Sequence, residues 1–117
     1  MLGETINILI GGTGGTSKTL NRINQDGYSA EYYLREALQE FRMKVSHSKT
    51  KTADRHFVEI KQIIFPVGVT SPEIVRTASL VLNVKSNDNA DAAVDLYKGL
   101  SAYVTGAIAT RLLGWES

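Results

Sequence analysis

The chain has 117 residues, 43% hydrophobic and 21% charged, which is ordinary for a globular protein and long enough for one domain with its own core. It has no cysteine, which excludes a disulfide framework and a zinc ribbon. No apolar run approaches the ~20 residues of a membrane span, and no basic region precedes an apolar stretch at the N-terminus. The net charge of +1 is uneven: residues 42–61 hold six of the thirteen Lys and Arg, two of the twelve acids and both histidines. Such asymmetry points to an anionic partner.

In chain order, Ile6, Ile8 and Ile10 alternate with Asn7 and Leu9, which predicts a short strand. Gly11-Gly12-Thr13-Gly14-Gly15 forces a turn, and Ser17–Ile23 returns as a second strand. Asp26-Gly27 is a further turn signal. Over Ser29–Phe41, Ala30, Tyr33, Leu34, Ala37, Leu38 and Phe41 fall at helical spacing among good helix formers, and propensity predicts a helix. Tyr32-Tyr33-Leu34 also suits a strand.

Alternation resumes at Glu40. Phe41, Met43, Val45 and His47 face one way, and Arg42, Lys44, Ser46 and Ser48 the other. Residues 49–55 read as a polar hairpin loop. The return strand puts Val58, Ile60 and Ile64 on one face and Glu59 and Lys61 on the other, with Phe57 and Ile63 as apolar exceptions on the polar side. A loop runs from Pro66 through Val67, Gly68 and Val69 to Pro72. Then Ala78, Leu80, Leu82 and Val84 alternate with Thr77, Ser79, Asn83 and Lys85, Val81 being the one apolar intruder.

Cap-type residues from Ser86 to Asn89 follow, with Asp88 and Asp91 placed for a helix N-terminus. Ala93, Leu96, Tyr97, Leu100, Tyr103, Val104 and Ala107 then share one helical face. Gly106 breaks the helix, and residues 107–113 form a second short one. The order is hairpin, meander of strands, two helices. Two terminal helices are small cover for such a sheet; a partner's helices would complete it and make the folded unit a dimer.

Three sites are candidates for chemistry. Gly12–Thr19 is similar to G-x-x-x-x-G-K-[ST], but Ser17 replaces the last glycine and no crossover helix follows, so a hairpin turn is the better reading. His47, Asp54 and His56 lie near one loop, without the spacing of a metal site or the oriented base of a catalytic triad. No enzyme, metal or cofactor is predicted. The polar sheet face gathers cations, hydroxyls and amides, groups that hold phosphates and read unpaired bases.

Three segments in this order and spacing carry a resemblance across nearly the whole chain: Ala30-Glu31-Tyr32-Tyr33; Pro72-Glu73-Ile74-Val75-Arg76; and Ser86-Asn87-Asp88 leading to Asp95-Leu96-Tyr97-Lys98-Gly99-Leu100. The chain resembles the coat proteins of single-stranded RNA bacteriophages, the leviviruses. The resemblance implies an α+β fold with an N-terminal hairpin (5–24), a five-stranded antiparallel sheet (30–85) and two helices (87–114) lying on the partner's sheet, all within one domain, 1–117. It makes Glu31–Arg35 a strand.

It also implies a virion protein, assembled in the bacterial cytoplasm as dimers that build an icosahedral shell around single-stranded RNA. An RNA hairpin bound by the same protein would repress translation. The alternative is a small dimeric RNA-binding protein that forms no shell. Family position, strand order and parity assign RNA contacts to Arg42, Lys44, Ser46, Glu59, Lys61, Thr77 and Ser79, with Lys49 and Lys51 in the basic hairpin. The dimer interface is expected at Leu96, Leu100, Tyr103 and Val104, and contacts between dimers at Pro66, Val67, Gly68, Val69 and Pro72. An aromatic that stacks on a base from the last strand in some family members has no counterpart here.

Overall fold

A computed structural model of the protein describes residues 3–12, 14–66, 72–86 and 88–115. Six antiparallel strands run in sequence order across one sheet: β1 (Thr5–Ile10), β2 (Thr16–Gln25), β3 (Ser29–Arg35), β4 (Gln39–Lys49), β5 (Ala53–Ile64) and β6 (Ile74–Lys85). Helices α1 (Ala90–Tyr103) and α2 (Gly106–Leu113) follow. The hairpin is continuous with the sheet, because β2 pairs with β3 as well as β1.

The β1–β2 turn depends on glycine. Gly11, Gly12 and Gly14 take φ of 100°, 79° and 82°, and a Cβ at Gly15 would run into the Ile10 carbonyl. The phosphate-loop reading fails here. Ser17 and Lys18 sit in an antiparallel strand, and the Lys18 ammonium is bound 2.8 Å from Glu36 rather than offered to a ligand.

The helix expected from propensity at 29–41 is not formed. Residues 29–35 are β3, hydrogen-bonded to β2 and β4 on both sides, and Tyr32 is buried between them. Pairing on two edges outweighs a preference worth a few tenths of a kcal/mol per residue. The strand reading taken from the family resemblance holds. The β4–β5 connection is also shorter than the 49–55 loop expected. Lys49 already pairs with Asp54, and Thr50 closes the turn by exchanging hydrogen bonds with Ala53.

The apolar parities of all strands share one side of the sheet. Leu20, Tyr32, Phe41 and Val45 form the buried core, and Ile6 and Ile8 of the curled hairpin pack on it. Beyond the hairpin the same side is open. A groove of about 270 Å3 is lined by Ile8, Met43, Val58, Ile60, Ala78 and Leu80.

Asn89 caps α1, its side chain accepting from the Asp91 N–H at 2.9 Å, and Asp91 stands in the first turn where the helix dipole favours it. Neither helix has a buried residue, and α1 meets its own sheet only lightly, at β6.

Leu20→Ala should destabilise the protein by about 2–5 kcal/mol, since a fully buried leucine leaves a cavity. Leu9→Ala, at a 47% exposed position, should cost less than about 0.5 kcal/mol. Urea unfolding of both variants at one protein concentration checks the contrast; equal losses would misplace the core.

Candidate nucleic-acid interface

The side of the sheet away from the core is built in rungs, because register aligns residues of β4, β5 and β6. Arg42, Lys61 and Thr77 form one rung, and Lys44, Glu59 and Ser79 the next. Ser46, Phe57 and Val81 follow, then Ser48, Arg55 and Asn83. The structure therefore gathers all seven residues expected from strand parity on one surface. A concavity of about 290 Å3 lies over its β2 end, lined by Ile23, Glu31, Arg42, Lys44, Glu59 and Lys61.

Lys49 and Lys51 do not join this surface. Lys49 has the parity of His47, towards the apolar side, and Lys51 lies in the β4–β5 turn; both are exposed at the hairpin tip. His47 and His56 also have the apolar parity. Their Nδ1 atoms are 2.8 Å apart, so each ring is the other's hydrogen-bond partner. Among the described residues, no group of three or more His, Asp or Glu could hold a metal ion.

The cations of the face differ in their state. Arg42 is bound within the protein: its Nε lies 3.3 Å from Glu40, and its guanidinium stands 4.9 Å from the centre of the Tyr33 ring. The Tyr33 hydroxyl donates to the other Glu40 oxygen at 2.6 Å. That hydroxyl, and then Arg42, hold the Glu40 carboxyl below its ordinary value, and the same bond pushes the Tyr33 hydroxyl up. Arg42 is thus a donor already engaged by Glu40 and Tyr33, while Lys44 and Lys61 are held in no ion pair among the described residues. Tyr33 and Glu40 escaped the sequence reading because their contact is set by the β3–β4 register and has no spacing signature.

The expected interface residues on the helices are all exposed. Leu96 is 78% accessible and Tyr103 68%, with Leu100 and Val104 also open. Of the loop residues, Pro66 and Pro72 are exposed, and Val67, Gly68 and Val69 lie outside the described residues.

The fold is thus a curled antiparallel sheet with one apolar side, one cationic side and two helices that meet their own sheet only lightly. The family model for the coat protein of phage phiCb5 matches residues 3–85, and the chain belongs to that phage coat protein family. It is a structural component of a virion and not an enzyme.

Two solved structures share the fold. The coat protein of bacteriophage EMS014 superposes with a TM-score of 0.71 at 21% identity, over 87% of this chain and 73% of that one. An unassembled virus coat protein dimer, described as a bacteriophage RNA-binding dimer, gives a TM-score of 0.63 at 16% identity, over 97% of this chain and 95% of that one. The second likeness extends the match to the helices, beyond the span of the family model. No curated protein matches the sequence.

Tyr33→Phe removes the main hydrogen bond that lowers the Glu40 pKa. A lowered carboxylate contributes stability above its ordinary value of 4.5 and loses it as the pH falls through the lowered one. The variant should therefore unfold more easily than the parent at pH 7, with the difference shrinking below about pH 4.5. Melting temperatures across that range test this; a difference independent of pH would contradict the linkage.

Proposed function

We propose that the chain acts as a single coat domain in a homodimer, that many dimers assemble into an icosahedral shell, and that the cationic side of each sheet faces and binds single-stranded RNA. The reading extends to an RNA hairpin in the viral message, held by the same face as a translational repressor, and to assembly in the bacterial cytoplasm.

One observation carries it. The chain exposes 8886 Å2, whereas a folded monomer of 12.8 kDa exposes about 6,300 Å2. Its radius of gyration, 16.6 Å, likewise exceeds the roughly 13 Å of a compact chain this long. The excess of about 2,600 Å2 per chain, about 5,200 Å2 for a pair, lies at the upper end of what obligate dimers bury in total.

The chemistry of that excess supports a second copy as the cover. Leu96, Leu100, Tyr103 and Val104 lie along α1 and its end with no apolar surface beneath them, and the groove over Met43, Val58, Ile60, Ala78 and Leu80 has no helix above it. Exchanging helices across a two-fold axis satisfies both. Strand β6 is twelve residues long with one free edge and no proline, and pairing with its copy would remove that edge. The segment from Pro66 to Pro72, with Val67, Gly68 and Val69, then stands for contacts between dimers.

Purified full-length protein should form closed particles in negative-stain micrographs, with nucleic acid in the absorbance spectrum. RNA-binding dimers that form no particles would favour the smaller dimeric RNA-binding protein. For the inner face, binding to a hairpin RNA across a salt series should lose about 0.7 of slope for each phosphate-contacting lysine removed. Lys44→Ala with Lys61→Ala should flatten the slope and leave the dimer intact. Lys98→Ala on α1 should not change it. Equal slopes for the two would mean that RNA is held elsewhere.

A further inference from the structure

Solvation does not explain two side chains on the cationic face. Phe57 and Val81 are paired in register in the middle of it, beside Ser46, with Val81 38% exposed and Phe57 partly so. Arg55 precedes Phe57 by two residues on the same side of β5, and its guanidinium carbon lies 5.4 Å from the ring centre. No ion pair engages Arg55 among the described residues. The neighbouring rungs bring Lys44, Glu59 and Ser79 on one flank, and Ser48 and Asn83 on the other.

This is an aromatic plane with a planar cation on it, a small apolar floor beside it, hydroxyl and amide groups around it, and an unpaired lysine one rung away. A sugar-phosphate chain needs the lysine; a base needs the plane. Stacking on aromatic rings and on arginine is how single-stranded nucleic acid is held without regard to sequence. A duplex presents no free base face, so the arrangement suits an unpaired nucleotide.

We propose that Phe57, floored by Val81 and covered by Arg55, is a stacking site for one unpaired RNA base, whose phosphates are held by Lys44 and Lys61. The base enters as the exposed Arg55 lifts from the ring and closes on the base's outer face. Ser46, Ser48 and Asn83 stand near enough in register to take its edge or its ribose hydroxyl. The inference rests on the RNA reading above and adds to it a contact that does not depend on charge.

The test uses the full-length dimer, a mixed-sequence single-stranded oligoribonucleotide, and an abasic chain of the same length. Phe57→Leu keeps an apolar side chain and removes the ring. It should weaken binding of the oligoribonucleotide by roughly tenfold, leave the salt slope unchanged, and leave the abasic chain unaffected. Arg55→Gln should weaken both binding and slope.

Phe57→Trp, in a Trp115→Phe background, should bind like the parent, and its fluorescence should be quenched by the oligoribonucleotide but not by the abasic chain. This arm decides the matter even if Phe57→Leu fails to fold. Parent-like affinity of Phe57→Leu, with weaker binding by the Lys44/Lys61 double variant, would overturn the stacking site and leave the RNA reading standing. Equal quenching by both ligands would overturn it too. A parent dimer that binds neither ligand would remove both readings together.

Discussion

Burial of the sheet's apolar side governs the rest of the molecule. The β1–β2 hairpin curls over β3 and β4 and seals Leu20, Tyr32 and Phe41, but over β5 and β6 the same side is covered only at its margins among the described residues, by Ile8 of β1 and by light contact of α1 with β6. Only four hydrophobic residues are buried among the described residues, a small core for 117 residues. Apolar surface left in water costs about 25 cal/mol per Å2. In the proposed dimer this open side and the lightly packed helices are complementary, each supplying what the other lacks.

That division leaves the opposite side of the sheet free for chemistry. Its cations are graded by their partners. Arg42 is fixed between Tyr33 and Glu40, which positions it and dilutes its charge. Lys44 and Lys61 keep theirs. Lys18 is a useful contrast: it lies on the apolar side, where an unpaired ammonium would be costly, and it is paired with Glu36 and placed 5.8 Å from the Phe41 ring centre. The same residue type is ion-paired on the closed apolar side and held in no ion pair on the opposite side among the described residues.

Much of this was legible in the sequence, because strand parity is a period of two that needs no other information. Alternation in β4, β5 and β6 was enough to predict which of Arg42, Lys44, Ser46, Glu59, Lys61, Thr77 and Ser79 share a side, and antiparallel register then put them in rungs. Residues 29–41 misled because Ala30, Tyr33, Leu34, Ala37, Leu38 and Phe41 fall at helical spacing by coincidence, while two neighbouring strands, invisible to local propensity, claimed the backbone. Lys49 and Lys51 lie at the β4–β5 hairpin, as expected, but apart from this face, because membership of a basic segment is not membership of a face. The Tyr33–Glu40–Arg42 cluster and the Arg55–Phe57 pair belong to side-chain geometry, which spacing alone does not encode. Phe57 and Val81 were visible as exceptions to the alternation, but their meeting in one rung needed the β5–β6 register.

The central claim is that the helices of one chain cover the sheet of another. It is tested most directly by replacing Leu100 with a photoreactive amino acid and assembling a mixture of isotopically light and heavy chains. Irradiation should join Leu100's position on α1 to the groove residues Ile60, Ala78 or Leu80, with products that link a light chain to a heavy one. Cross-links confined to chains of a single mass would show that the helices fold back on their own sheet and would contradict the account.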